Sequence, residues 1–296
     1  MSYDLYFYKR KNSQLTEQQI GNYLDENLQF NISDVEKQWN YENPETGVYF
    51  LIDWNEEDPE FGKDYDNFPE HKYLNFSFSV NFFRPRFFAF EIFPIIEKFI
   101  HDLDLSVLNL QDETNSEELK RYENGYLQDQ WIRHNDGVTL THFDELKMDY
   151  MPLEKSNYIW LFQSNRRILQ DNLQEDIFVP GFFVLKSRSD EKLYTACVWP
   201  QHIPVILPPV DYLIVQKKYK KLFRTFEESG LVSYHEIIEQ FGNLFSQFKS
   251  TVPDLKVLKP IDANKIEKQF NALKLGDNIE NFGQLVGMDS FVNVKP

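Results

Sequence analysis

The sequence predicts an α+β chain, with an N-terminal sheet-and-helix layer followed by a mixed, helix-rich C-terminal part. Three observations carry this. From Tyr73 to Phe82, Leu74, Phe76, Phe78, Val80 and Phe82 alternate with Asn75, Ser77, Ser79 and Asn81, the period-two pattern of a half-buried strand. Upstream, Gln38-Trp39-Asn40-Tyr41-Glu42 and Val48-Tyr49-Phe50-Leu51-Ile52 flank Asn43-Pro44-Glu45-Thr46-Gly47. This reads as a hairpin in which Pro44 fixes one φ and Gly47 permits a positive one. Finally, Thr16-Glu17-Gln18-Gln19 has the capping-box form ahead of Ile20, Tyr23, Leu24 and Leu28 at helical spacing, predicting a helix over 17–27.

The remaining elements follow in order. Residues 3–8 read as a short aromatic strand and 9–13 as a polar turn. Arg84-Pro85-Arg86 makes a corner, and Phe88, Ile92, Ile95, Ile96, Phe99 and Ile100 mark a helix perturbed by Pro94. Leu105, Val107 and Leu108 suggest another strand. The order strand, helix, hairpin, strand, helix, strand places both helices on one sheet face, and a βαβ-like crossing stays open. Residues 112–145 read as a helical connector, with Asn115 and Glu118 placed to cap a helix ending by Asn135-Asp136-Gly137.

Beyond it, Tyr158 to Phe162 is an apolar run, and 177–185 with 193–199 form a hairpin pattern around Ser187-Arg188-Ser189-Asp190. Pro204, Pro208 and Pro209 argue against central sheet pairing of the next segment. Val215, Tyr219, Leu222, Phe223 and Phe226 predict an amphipathic helix with Lys217, Lys218, Lys220, Lys221 and Arg224 outward, stopped at Gly230. Ser233 and Glu236 predict a second capping box before Ile237, Ile238, Phe241, Leu244, Phe245 and Phe248. A further helix starts at Asp262 and uses Ile266, Phe270 and Leu273, and the tail from Gly276 reads as an irregular arm. The domain organisation is then an acidic α+β domain at 1–111, the connector at 112–145 and a mixed C-terminal domain at 146–296.

Composition narrows the function classes. At 42% hydrophobic and 26% charged, the 296 residues are neither disordered nor membrane-like. With 27 Phe and 16 Tyr, large rings build the cores. No apolar run is long enough to span a bilayer, and the N-terminus lacks the pattern of a signal peptide. A single cysteine, Cys197, excludes an intramolecular disulfide, and together these features suggest the cytoplasm. Residues 1–150 carry 30 acidic against 13 basic side chains, a balance of −17, whereas 151–296 carry 17 against 18, a balance of +1. An acidic first half repels nucleic acid and anionic membrane and favours a basic partner; the oligomeric state is left open.

Candidate sites follow from residue chemistry. The most acidic loop holds Glu56, Glu57, Asp58, Glu60, Asp64, Asp66 and Glu70. A calcium site needs clustered oxygen ligands, but Gly62 sits at the wrong offset for an EF-hand and no glutamate closes the loop. The loop reads as a solvated surface or, through Glu56, Glu57, Asp58, Glu60, Asp64 and Asp66, as the docking surface for a basic protein. His134, His142 and Asp144 do not have the spacing of a helical zinc pair. Cys197, inside an apolar strand pattern, reads as a core residue rather than a nucleophile served by His202. Arg84 and Arg86 suit carboxylate pairing within the chain. The lysine face from Lys217 to Arg224 reads as a solvated outer face or as an inter-domain contact to the acidic half. Glycine-rich phosphate loops, a nucleophile elbow and Cys-x-x-Cys pairs are absent, so no catalytic, cofactor or metal residue is assigned.

The opening Ser2-Tyr3-Asp4-Leu5-Tyr6-Phe7 resembles the start of uncharacterised bacterial proteins, some of them associated with toxin–immunity loci. The phrase Leu207-Pro208-Pro209-Val210-Asp211-Tyr212-Leu213-Ile214-Val215, with the lysines and Gly230 after it, is similar to segments of immunity-type proteins. The resemblance covers a small part of the chain and supplies no catalytic residues. It implies a cytoplasmic protein that binds and neutralises a cognate toxin, which the acidity of the first half makes a basic one. Two other classes remain as expectations: a hydrolase with an acidic, aromatic-lined inter-domain cleft, and an assembly or structural component.

Overall fold

The computed structural model describes residues 1–28, 30–32, 37–55, 68–112, 118–122, 124–173, 176–221 and 224–296. Its architecture is α+β, with the strands in three sheets. The chain divides into two compact units, 1–148 together with 291–296, and 149–290. The stretch read as a connector, 112–145, lies within the first unit.

The first unit runs β1 (Ser2–Arg10), α1 (Glu17–Asn27), β2 (Phe30–Ile32), β3 (Gln38–Asn43), β4 (Val48–Trp54), β5 (His71–Asn81), α2 (Phe87–Asp102), β6 (Ser106–Leu108) and α3 (Tyr126–Leu146). Its sheet has the order β2-β3-β4-β5-β1-β6, and every pairing is antiparallel, so the open question of a βαβ crossing is answered in favour of a meander closed by β1. The predicted capping box at Thr16 is present in both halves, and α1 spans the predicted residues. Gly47 takes the positive φ of 71° that its hairpin requires. Lys9 and Arg10 extend β1 instead of opening the turn.

Alternation builds the core. Ile52, Phe78 and Leu5 lie in register across β4, β5 and β1, and all three are fully buried. The register shifts between Tyr6 and Tyr8, opposite the stretch of β5 where Asn75 has φ 58°. Asparagine tolerates that left-handed conformation, and the bulge brings Phe7 and Tyr8 both into burial. Helix α2 covers this face. Phe99 meets Phe7 at 5.1 Å, and Phe93 meets Tyr3 at 5.9 Å, Phe78 at 6.0 Å and Trp131 of α3 at 6.4 Å. The helix passes through Pro94, which stands exposed on its outer side.

Helix α3 corrects one expectation. It starts after Gly125, at φ 86°, and continues through Asn135-Asp136-Gly137 to Leu146, where the sequence pattern suggested a stop. Asn115, read as a cap, lies outside the described residues, and Glu118 precedes the helix. Trp131, Asn135 and Thr139 recur every fourth residue and are buried, so packing on both sides of Gly137 outweighs a glycine penalty of about 1 kcal/mol.

The second unit runs α4 (Leu153–Asn172), β7 (Phe182–Ser187), β8 (Leu193–Pro200), β9 (Val205–Leu207), β10 (Tyr212–Lys221), β11 (Arg224–Ser233), α5 (Tyr234–Phe241), β12 (Phe245–Phe248), β13 (Leu255–Leu258), α6 (Pro260–Ala272), α7 (Ile279–Phe282) and β14 (Gly283–Val286). The apolar run at 158–162 belongs to α4. One sheet has the order β11-β10-β8-β7-β14 and the other β12-β13-β9. The predicted hairpin of β7 with β8 is present, and β9, between the prolines, takes an edge position. On one face of the larger sheet, Phe182 packs on Phe162 of α4 at 5.1 Å, and Trp199 meets Phe241 at 6.0 Å and Phe270 at 4.8 Å. On the other, Leu185, Ala196, Ile214 and Leu231 are covered by Ile279 and Phe282.

Three expectations fail here. The predicted lysine-faced helix is the β10–β11 hairpin, and Gly230 lies inside β11 rather than stopping a helix. Leu213, Ile214 and Val215 are buried in succession between β8 and β11, and Lys218 and Lys217 stand opposite Glu227 and Glu228. Cross-strand partners distant in sequence override a helical spacing that Val215, Tyr219 and Phe226 fit only in one dimension. Helix α5 keeps its Ser233 cap but ends at Phe241, because Phe245–Phe248 pair with β13. The arm after Gly276 contains β14, which pairs with β7.

The first unit also needs residues far along the chain. Phe291 and Val292 are buried, Phe291 meets Phe87 at 6.4 Å, and the Asn293 side chain accepts from the Arg86 backbone N–H at 2.7 Å. Phe291→Ala is expected to destabilise the first unit by about 3 kcal/mol, read as a loss in its urea-unfolding free energy. An unchanged midpoint would show that these residues do not complete its core.

Candidate functional site

The docking residues suggested by the sequence, Glu56, Glu57, Asp58, Glu60, Asp64 and Asp66, lie outside the described residues. What is described is the framework that carries them. Their segment leaves β4 after Trp54 and returns to β5 at His71, and both strands are interior to the sheet. At its start the Lys37 ammonium sits over the Trp54 ring at 3.3 Å, and Asn55 N–H donates to the Asn75 carbonyl at 2.7 Å. The β3–β4 hairpin is held to α2 by one carboxylate. A single oxygen of Glu91 accepts from Asn43 at 2.7 Å, Tyr41 at 2.9 Å and Thr46 at 3.1 Å. Burial, followed by the Glu91 charge, pushes the Tyr41 hydroxyl pKa up, so Tyr41 stays a donor.

A second polar region lies around 120–126, which sequence reasoning passed over as connector. Asp112 is buried, and one of its oxygens accepts from Tyr126 at 3.1 Å and Lys120 at 3.2 Å. Gln130 donates to the Tyr126 hydroxyl at 2.9 Å, and Asn109 donates to the Tyr3 hydroxyl at 2.7 Å. The Tyr122 and Tyr126 rings stack at 5.0 Å. Two adjoining depressions share Arg121, Tyr122 and Asn124. One, of about 710 Å3, opens beside Lys120 and Tyr126; the other, of about 140 Å3, beside Glu97, His101 and Asp104.

Glu97 is the informative group there. Gly125, the N-cap of α3, has no side chain to cap with, and the Glu97 carboxylate from α2 accepts its N–H at 2.9 and 3.1 Å. A carboxylate at a helix N-terminus is favourable, yet burial wins here and raises the Glu97 pKa above the ordinary glutamate value. The chemistry within reach is hydrogen bonding and charge pairing. Arg121 is paired with Asp104 and Lys120 with Asp112. No sequence signal marks this site, because Glu97 and Gly125 are separated by a strand and a loop.

The other candidates resolve individually. Arg86 pairs with Asp136, as its expected carboxylate partnership requires, but among the described residues Arg84 donates to the Tyr49 hydroxyl and the Phe83 carbonyl and to no carboxylate. His134 contacts the Gln111 carbonyl at 2.5 Å and His142 contacts Glu145 at 3.1 Å, so the two rings serve different partners along α3. Among the described residues no group of three His, Cys, Asp or Glu side chains is arranged to hold a metal ion. Cys197 is fully buried in β8, and burial pushes its thiol pKa up, away from the thiolate a nucleophile needs. Lys217, expected on an outer face, is buried and turns its ammonium to the Asn271 and Leu273 carbonyls at the end of α6.

No family model, no curated protein and no solved structure matches this chain. No helix among the described residues is long and apolar enough to cross a membrane.

A pH prediction follows from Glu97. With its folded pKa raised, the folded chain keeps a proton that the unfolded chain loses, so stability falls as pH rises through the window between the ordinary and raised values. Glu97→Gln retains an acceptor for Gly125 and removes the titration. Urea unfolding across that window is expected to give a flatter pH dependence for the variant than for the parent. Parallel curves would count against a raised pKa at this carboxylate.

Proposed function

We propose that this protein is a binding module whose acidic first unit engages a basic protein partner, in the manner of an immunity protein neutralising its toxin. Charge carries the reading. Residues 1–148 and 291–296 hold 29 acidic against 14 basic side chains, a balance of −15, while 149–290 hold 18 against 17, a balance of −1. The asymmetry therefore follows the structural division of the chain. Several of the first unit's carboxylates, Glu91, Glu97 and Asp112 among them, are engaged in internal hydrogen bonds. Those of the segment 56–66 form its densest acidic run in the sequence, which lies between the interior strands β4 and β5 in chain order. Such a field steers a cationic partner and accelerates its association.

The test is affinity capture on the tagged full chain from lysate of its source, washed at low and high salt, followed by association kinetics with the captured protein. The expected result is a stoichiometric basic protein released at high salt. Combined replacement of Glu56 and Glu57 by Gln and of Asp58, Asp64 and Asp66 by Asn is expected to slow association by about tenfold or more at low salt. A partner that is not basic, salt-independent association, or unchanged rates for the variant would each overturn the reading.

A further inference from the structure

We propose that the depression between α3 and the chain leaving β5 and β6 binds a small organic carboxylate, its charge on Arg133 and its apolar body over Phe82 and Val138. This goes beyond the protein-binding role and does not rest on it.

The shape comes from one missing side chain. Helix α3 presents Arg133, His134, Gly137 and Val138 on one face, since residues four apart stand one turn above each other. They look across to Phe82, just past β5, and Gln111, just past β6, around a depression of about 480 Å3. Small-ligand sites commonly have volumes of this order. Gly137 keeps helical backbone, and a Cβ on it would meet no atom within 4 Å. Neither backbone strain nor crowding therefore calls for glycine, and α3 carries the glycine penalty described above. What the glycine does is leave this wall of the depression bare.

The opposite wall is fully bonded. The Gln111 amide oxygen accepts from Asp4 N–H at 2.9 Å, and its amide nitrogen donates to the Ser2 carbonyl at 2.7 Å. Its backbone N–H donates to the Asn109 side chain at 3.0 Å. Its carbonyl meets His134 Nε2 at 2.5 Å, and because a carbonyl only accepts, that ring nitrogen carries the proton. This bond ties α3 to the chain after β6, so the two walls are held together before any ligand arrives. Phe82 is buried, with its ring 6.3 Å from that of Tyr3. Arg133 differs from all of these. It is exposed, and among the described residues nothing pairs with its guanidinium.

Charge selects the ligand. The two depressions beside Tyr122 are walled by Asp129 or by Glu97 and Asp104, whereas among the described residues no carboxylate lines this one. The acidic side chains next to its walls are engaged elsewhere, Asp136 with Arg86 and Asp112 with Lys120. Asp129, one turn before Arg133, is exposed and makes no ion pair with it. The acidic surplus of the unit is screened over about 8 Å at physiological salt, so the guanidinium in contact with the ligand sets the preference. Its planar fork of donors fits a carboxylate through two parallel hydrogen bonds. Phe82 and Val138 then offer the rest of the ligand an apolar surface, which a bare inorganic anion would leave uncovered.

The experiment titrates the full chain with phenylacetate and with phenylacetamide, which keeps the shape and lacks the charge, and follows backbone amide resonances. Phenylacetate is expected to shift Phe82, Gly137 and Val138 saturably. Phenylacetamide should bind about fivefold more weakly, the value of one exposed ion pair. Arg133 has no partner to lose, so Arg133→Gln leaves the fold intact and should bring phenylacetate down to the affinity of the amide. Gly137→Leu puts a side chain into the depression at an exposed helical position where leucine is the better helix former. Its thermal midpoint should rise while both probes cease to bind, which separates occlusion from misfolding. The proposal is overturned by the absence of a saturable shift with phenylacetate, by equal affinity for the two probes, or by undiminished phenylacetate binding to Arg133→Gln. A Gly137→Leu variant that is less stable than the parent, or that still binds, would overturn it as well.

Discussion

Covering the aromatic face of the first sheet with α2 is the constraint on which the first unit depends. Leu5, Phe7, Phe50, Ile52, Phe76 and Phe78 turn one way from β1, β4 and β5, and α2 returns Phe88, Ile92, Phe93, Ile96 and Phe99 to the interior. Each fully buried ring contributes about 1.5–3 kcal/mol, so misplacing this one helix would forfeit more than a domain's typical net stability. Its entry is accordingly pinned. Asn135 of α3 accepts from Phe83 N–H at 2.8 Å and donates to the Arg84 carbonyl at 2.9 Å, and Asn293 takes the Arg86 N–H. The corner at 83–86 thus joins a strand end, a helix start, α3 and residues much later in the chain.

Charged groups complete what apolar packing leaves open. Glu91 gathers three donors of the hairpin, Glu97 accepts the first N–H of α3, and Lys217 donates to the last carbonyls of α6. Each meets a backbone end or a buried hydroxyl that would otherwise cost about 1–3 kcal/mol unpaired. These charges act within the fold. The first unit's acidic surplus of 15 is far larger than they account for, and a surplus of one sign costs a compact unit self-repulsion. A cationic partner would relieve that repulsion, which is the physical link between the charge distribution and the binding role we propose.

Legibility followed the range of the interactions. Helix α1 was readable to the residue because Thr16 and Gln19 satisfy each other within one turn, and the β3–β4 hairpin because Pro44 and Gly47 act locally. The β10–β11 hairpin was misread because its pattern also fits a helix, and the arbiters, β8 and Glu227 with Glu228, are not neighbours in sequence. At the candidate sites the carboxylates of 56–66 were visible as a charge run. The Glu97 cap and the Asp112–Lys120–Tyr126 cluster were not, since neither residue type nor spacing distinguishes those carboxylates from the other acidic side chains.

By itself the sequence determined the α+β class, the period-two face of β5, the caps of α1 and α5 and the acidic bias of the first half. All of these arise from neighbours within a few residues or from simple sums over the chain. Only the tertiary structure decided that β1 is an interior strand, that α3 runs through Gly137, that Lys217 faces a helix end and that 291–296 complete the first unit. The physical reason is shared. Each outcome is set by burial or pairing between segments far apart in the chain, where the free energy of contact exceeds the small preferences that local sequence expresses.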